Sequence, residues 1–292
     1  LGEFSNTPVR TYSVGFEDVK FDEMEYSRVV AKHFGTQHNE YYISPKDVIE
    51  AIPNIAKIFA EPYGNMSAVP FYYCAAMART DGIKKLLCGE GGNELFAGKQ
   101  HYATQLMLGK YHDIPEILRI KLIQPLASGL PQGLRIPFIN KIRSYIKQAT
   151  VEMPARMETY NYMERTGLEG MFTNEFLNQV DIHQPLKLLT QLYDTTMCET
   201  LINRMLSIDY KVSIADDALP KTHAMGDLAG IEIGYPILND RIVQFANNLP
   251  VHYKVKGNKL RYFLKQALKG YLPAVVLNSV KQTSEFPFGQ WL

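Results

Sequence analysis

The spacing of apolar positions changes character along the chain. Arg10–Phe16 reads as a strand, with Val14 and Phe16 among its β-formers. Glu23–Phe34 switches to helical spacing, placing Tyr26, Val29, Val30 and Phe34 along one side, with Gly35 as a stop. Glu40–Ile43 is a second short strand. Ser44-Pro45-Lys46-Asp47 then has the chemistry of a helix start: a serine cap, a proline in the first turn and an acid three residues after the cap. Val48, Ile49, Ile52, Ile55 and Ile58 continue a helical stripe that Pro53 is expected to kink or split. Ser67–Thr80 reads as a further helix ending at Gly82, and Ile83–Cys88 as the next strand. This βαβα rhythm predicts an α/β architecture with a partly parallel sheet flanked by helices.

After Gly98 the pattern becomes mainly helical. Gln105–Lys110, Pro115–Leu122, Pro137–Ala149 and Gln184–Ile208 carry the periodic segments, while Gln124–Arg135, rich in proline and glycine, is the loop candidate. Asp240–Leu249 and Lys259–Leu268 predict two more helices, the second ending before Gly270. The expected organisation is a single domain over 1–292, with an α/β part at 1–105 and a mainly helical part at 106–292.

Composition narrows the classes. The chain has 292 residues, 46% hydrophobic and 21% charged, with a formal net charge of +1. That balance gives no electrostatic case for nucleic acid or an anionic membrane, and neither is expected as a partner. No apolar run approaches the ~20 residues that cross a bilayer, and nothing near Leu1 has the regions of a signal peptide. Three widely spaced cysteines, Cys74, Cys88 and Cys198, argue for reduced thiols and a cytoplasmic location, and they lack zinc-site spacing.

The candidate chemistry concentrates in Leu86-Leu87-Cys88-Gly89-Glu90-Gly91-Gly92-Asn93-Glu94-Leu95-Phe96-Ala97-Gly98. A strand that stops at glycine and restarts as a helix presents backbone N–H groups and acids at the C-terminal edge of a sheet, where open α/β folds bind nucleotides. Glycine permits the tight turn and close approach, and carboxylates can hold a metal or move a proton. The same pattern also serves as a plain tight connection. His33 and His38, without a carboxylate partner at metal spacing, carry no assigned chemistry.

This corner resembles the S-G-E-G-x-D-E-x-F-G-G block of the asparagine synthetase family. Other blocks follow in family order. Thr11–Phe16 is similar to F-S-[IV]-G-F, and Phe34–Glu40 to L-G-T-x-H-x-E. Glu61-Pro62 and Val69-Pro70 match D-E-P and x-P-x-Y. Lys221–Asp240 parallels K-x-D-R…L-E-x-R-x-P-F-L-D, and Leu272-Pro273, Lys281, Pro287, Trp291 and Leu292 follow the tail. The likeness is thinnest from about Lys110 to Leu201. It implies an adenine nucleotide alpha hydrolase-like fold of the ATP-pyrophosphatase type. It implies a ligase that uses ATP and Mg²⁺ to adenylate a carboxylate, aspartate by default, releasing AMP and pyrophosphate before ammonia attacks. ATP, an amino-acid carboxylate and ammonia are the implied small-molecule partners, and a homodimer follows by family analogy alone.

By the same resemblance, Glu90 and Lys281 would be catalytic. Val14, Cys88, Gly89 and Glu90 would border the nucleotide, Asn93 would stand at a metal position, and Lys221 and Glu232 would support the site from behind. The pattern also departs from the family. The S-G-G-x-D-S pyrophosphate loop and the glutaminase domain do not occur in the chain, which is therefore expected to be a fragment. Asn93 replaces a metal-binding aspartate, Cys88 a serine, His223-Ala224 an Asp-Arg pair, Gly234 an arginine and Asn239 an aspartate. Lys99 and Gln282-Thr283-Ser284 also differ from the family residues. These losses keep a second reading open, a catalytically silent relative that binds nucleotide or a partner protein. A nucleotide-hydrolase-like domain for RNA thiolation shares the fold but calls for a basic surface or a cysteine pair.

Overall fold

The computed structural model describes the chain apart from Val19, residues 130–136, Tyr160, Tyr162, residues 164–165, residues 280–285, residues 288–290 and Leu292. Its contacts group into two compact units. The first comprises Leu1–Phe96, Lys211–Leu249 and Arg261–Leu292, and the second Ala97–Tyr210 and Pro250–Leu260.

The first unit begins β1 (Arg10–Phe16), α1 (Met24–Phe34), β2 (Gln37–Ile43), α2 (Pro45–Ile58), α3 (Ala68–Thr80), β3 (Lys85–Leu87) and α4 (Gly92–Phe96), and later adds β4 (Glu232–Gly234). Strand β1 pairs in parallel with β2, Val14 opposite Tyr41, and β3 pairs in parallel with β4, Leu87 opposite Gly234. The α/β reading and the parallel pairing hold. Among the described residues the strands form two separate pairs, however, and not the single sheet that the rhythm suggested.

Helix α3 serves both pairs. Ala68 and Val69 join Phe16, Ile43, Val48, Ala51 and Ile55 in one core, while Ala75 and Ala78 join Ile231 and Ile233 in another. Alanine at the later positions lets the strand backbone come close. The start of α2 is built as its residues suggest: Ser44 Oγ accepts from Asp47 N, and the Asp47 carboxylate accepts from Ser44 N in return. Gly35 ends α1 with φ 62°. Pro53 neither splits α2 nor ends it. It lies on the exposed side, where water can satisfy the carbonyl left without a partner.

In the helical half the structure corrects two expectations and refines a third. Gln124–Gly129, expected as loop, is helical: it continues the π-helical stretch Arg119–Ile123 and packs on Pro137–Ala149. The remainder of that predicted loop, 130–136, lies outside the described residues. Gln184–Ile208 is two helices, Gln184–Asp194 and Leu201–Asp209, the second capped by Thr200 Oγ1 accepting from Asn203 N. The helix predicted at Lys259–Leu268 is confined to Tyr262–Ala267, because Lys256 and Lys259 form a backbone bridge and Arg261 takes φ 51°.

In the second unit, Tyr102, Ile202, Met205 and Val255 centre one core, and Leu108, Tyr111 and Ala149 another. Two ionisable groups are buried in it. Burial pushes the Asp209 carboxyl up, but His101 at 3.2 Å, Lys99 at 3.9 Å and a hydrogen bond from Tyr102 together hold it below the usual range. Lys254 donates to Asn203 Oδ1 at 2.9 Å, and no carboxylate partner accompanies it among the described residues.

Burial brings the Lys254 ammonium down from 10.5 to about 8, only weakly opposed by Cys198. Between those two values the unfolded chain binds the additional proton. The favourable contribution is therefore complete above 10.5 and disappears as pH falls through 8. Lys254→Met is expected to raise urea stability near neutral pH by up to ~3 kcal/mol and to flatten the rise of stability between about pH 8 and pH 10. Urea titrations of both proteins across that window check this.

Candidate functional site

The glycine corner grows directly out of β3. Cys88 N donates to Gly234 O at 3.0 Å, extending the ladder one residue beyond the strand pair. The chain then turns through Gly91 at φ 93°, where a Cβ would sit 2.2 Å from Leu238 Cδ2. Only glycine meets both demands. Gly89 is the opposite case: a Cβ there would meet no atom within 4 Å, so its flank is open to a ligand. Helix α4 follows at once and anchors the turn by burying Leu95 and Phe96, the latter stacked on Phe263.

Glu90, at this corner, faces a cation. Lys221 Nζ, on the helix Leu219–Ala229, lies 3.6 Å from Glu90 Oε1 and donates to Ser67 Oγ at 2.9 Å. Ser67 Oγ donates to Asn65 Oδ1 at 2.6 Å. Asn65 Nδ2 reaches both oxygens of Asp217, at 3.0 and 2.9 Å, and Tyr63 OH donates to Asp217 Oδ1 at 2.7 Å. A polar chain thus runs from Asp217, on the π-helical stretch Tyr210–Ala218, to the carboxylate at the corner. Each donor and acceptor role is consistent along it: carboxylate, amide, hydroxyl, ammonium, carboxylate.

The surroundings are partly dry. Burial raises the Tyr63 phenol well above its ordinary range, and Asp217 reinforces the shift. Burial likewise raises the Cys88 thiol and the Tyr235 phenol, the latter within 2.6 Å of Thr222 Oγ1. Cys88 is a packed thiol and not an activated one.

The structure brings together Cys88, Gly89, Glu90 and Lys221. Asn93 lies on α4 just past the corner, with its side chain exposed. Val14 is half-buried against the core of Phe16 and Ile43. Glu232 stands at the other end of β4 from the corner, where it pairs with its register neighbour Lys85 at 2.6 Å in an exposed position. Lys281 lies outside the described residues. No group of three or more His, Cys, Asp or Glu side chains is placed to hold a metal among the described residues. The donors near the corner, the Glu90 carboxylate already facing an ammonium, the exposed Asn93 amide and the buried Glu94 carboxylate, are not gathered into a Mg²⁺ site among the described residues.

Sequence reasoning missed Tyr63, Asn65, Ser67 and Asp217. Two local signals were available: Asn65-Met66-Ser67 just before α3, and Asp217 four residues before Lys221. Asp217→Ala leaves the Tyr63 hydroxyl and the Asn65 amide without their acceptor. A loss of about 2 kcal/mol in urea unfolding is expected, against less than ~0.5 kcal/mol for Asp216→Ala on the exposed neighbour.

A family model described as Asparagine synthase matches residues 1–292. The chain is 27% identical over 286 residues to asparagine synthetase [glutamine-hydrolyzing] 1 of Bacillus subtilis (strain 168), covering 97% of this chain and 43% of that protein. It is 26% identical over 294 residues to a putative asparagine synthetase of Mycobacterium tuberculosis (strain ATCC 25618 / H37Rv), covering 98% and 42%. A third relative, putative asparagine synthetase 2 of Methanocaldococcus jannaschii, is 34% identical over 121 residues, which is 41% of this chain and 23% of that protein. The chain spans less than half the length of these curated relatives.

Proposed function

Because the chain belongs to the asparagine synthase family, we propose that it is the synthetase part of an ATP-dependent, amide-forming ligase with an adenine nucleotide alpha hydrolase-like fold. The reaction adenylates a carboxylate, aspartate by default, releases pyrophosphate, and ends with ammonia displacing AMP. The chemical order follows from the substrate. A free carboxylate repels a nucleophile and offers no leaving group, whereas a mixed anhydride with AMP supplies one.

The observation that carries this reading is the Glu90 carboxylate, held against Lys221 beside the open flank of Gly89. An amine that attacks an acyl carbon becomes cationic and must lose a proton. Glu90 stands at an exposed glycine turn as an acceptor for that proton, with Lys221 and Ser67 fixing its direction. The backbone at Cys88 and Gly89, and Val14 on β1, supply the surface for the nucleotide, and Lys281 the cation for its phosphates. Glu232 supports the end of β4. Mg²⁺, when bound, neutralises polyphosphate charge; on α4 Asn93 offers an exposed amide oxygen beside the buried carboxylate of Glu94.

Pyrophosphate release by the product of the complete reading frame, with Mg-ATP and ammonia and with aspartate present or omitted, tests the reading. Aspartate-dependent release is expected, and Glu90→Gln is expected to cut amide formation at least ~100-fold while ATP is still bound. Release that no amino acid stimulates, from folded protein, would argue against it.

One observation favours the second reading, a silent relative that binds nucleotide or a partner: Asn93 is neutral and exposed. Asn93→Asp separates the two. In a weakened enzyme the added charge is expected to lower the Mg²⁺ concentration needed for half-maximal rate about tenfold, equivalent to ~1.4 kcal/mol. In a silent relative it changes no rate.

A further inference from the structure

We propose that the second unit carries a docking surface for an anionic lipid membrane, formed by the helical run from Glu116 to Gly129 and by the helix Pro137–Ala149 packed on it. Charge is the first observation. From Ile117 to Val151 the chain has no Asp or Glu, yet it contains Arg119, Lys121, Arg135, Lys141, Arg143 and Lys147. With six of the 31 basic residues and none of the 30 acidic ones in this stretch, the rest of the chain carries a net charge of −5. The near-neutral total therefore hides a segregated distribution. An anionic surface attracts one segment and repels the remainder, which orients the protein as well as binding it.

The second observation is apolar exposure in the same place. Ile117, Leu118, Ile120, Leu122 and Leu126 are 49–68% exposed, although they lie on regular helical backbone. Ile142 is exposed on the neighbouring helix, beside exposed Lys141. A helix apolar on most of its circumference belongs in a core or a bilayer, and here only Arg119, Ile123 and Gln124 of residues 116–126 are even half-buried. Arg119 is turned inward by bonds to Ile114 O and His112 Nδ1, so the outward cations are Lys121, Lys141 and Lys147.

These two properties together select the occupant. Nucleic acid would use the cations and leave the aliphatic side chains in water. A second copy of this face would bring like charges together. An anionic lipid interface accepts both, with aliphatic side chains among the acyl chains and lysines at the phosphates. The mode is interfacial, since no helix among the described residues is long and apolar enough to cross a membrane. An acidic, apolar protein surface is the competing occupant.

Sedimentation with vesicles decides the matter. The full chain is mixed with vesicles of phosphatidylcholine alone, or of equal parts phosphatidylcholine and phosphatidylglycerol. Binding to the mixed vesicles, with little to the neutral ones and a steep loss as salt is raised, is expected. The triple variant Lys121→Glu, Lys141→Glu, Lys147→Glu, altered only at exposed positions, is expected to bind at least ~100-fold more weakly at an unchanged melting temperature. Leu122→Ser with Leu126→Ser is expected to weaken binding at constant charge. Failure of folded protein to bind the mixed vesicles overturns the proposal. So does undiminished binding by the charge-reversed variant.

Discussion

The arrangement of the candidate site depends on where one buried ammonium is held. Lys221 comes from a helix that follows the π-helical stretch, and it reaches a serine that precedes α3 and a glutamate that follows β3. Three segments distant in sequence therefore converge on one nitrogen. A buried lysine without acceptors would lose its charge or open the fold. Here Ser67 and Glu90 accept from it or face it, and Asn65 and Asp217 orient Ser67 from behind. The Glu90 carboxylate is the half-buried end of a network whose other members brace it. This gives Glu90 a fixed direction at a corner that glycine otherwise leaves loose.

That same network explains what could and could not be read from the residues alone. Helix and strand periods in the first hundred residues depend on neighbours in sequence, and Ser44 with Asp47 closes its cap within four residues. The glycine corner was also legible, because a turn at φ 93° against Leu238 demands glycine wherever the partner comes from. The chain from Tyr63 to Asp217 was not. Its partners are separated by 154 positions, and neither an asparagine before a helix nor an acid four residues before a lysine announces what it will face. The division of the strands into two separate pairs was not legible for a related reason. The first three strands were recognisable and the three-residue β4 was not; α3 then sets the pairs along its length, Ala68 and Val69 near its start closing on β1 and β2, and Ala75 and Ala78 near its end admitting β4.

Charge offers the same lesson at larger scale. A total near zero is a statement about composition, and it is silent about segregation along the chain. The acid-free stretch from Ile117 to Val151 coincides with the helices that leave their aliphatic side chains in water. Either property alone has an ordinary explanation, solubility in one case and a loosely packed surface in the other. Together they resemble a core helix that carries its own counter-charge for an anionic partner.

The departures from the family pattern can be weighed one at a time against their surroundings. Asn239 still caps the helix Asp240–Asn248, its Oδ1 accepting from Arg241 N at 3.1 Å, which asparagine does as well as aspartate. Gly234 stands where a Cβ would lie 2.7 Å from Leu87 Cδ2 and 3.1 Å from Lys85 Cε, so the packing around it has already closed over the space a larger residue needs. Lys85 fills part of that space and supplies the cation for Glu232. His223 is accommodated beside the Tyr235 ring at 5.2 Å. These three substitutions are absorbed by their neighbours, and they alter packing without touching Glu90, Lys221 or Ser67. Asn93 differs in kind. It is exposed on α4, and its amide lacks the charge of the aspartate that the family pattern carries there. Of the four departures weighed, Asn93 is the one its neighbours do not absorb, while the hydrogen-bonded support behind the corner is intact.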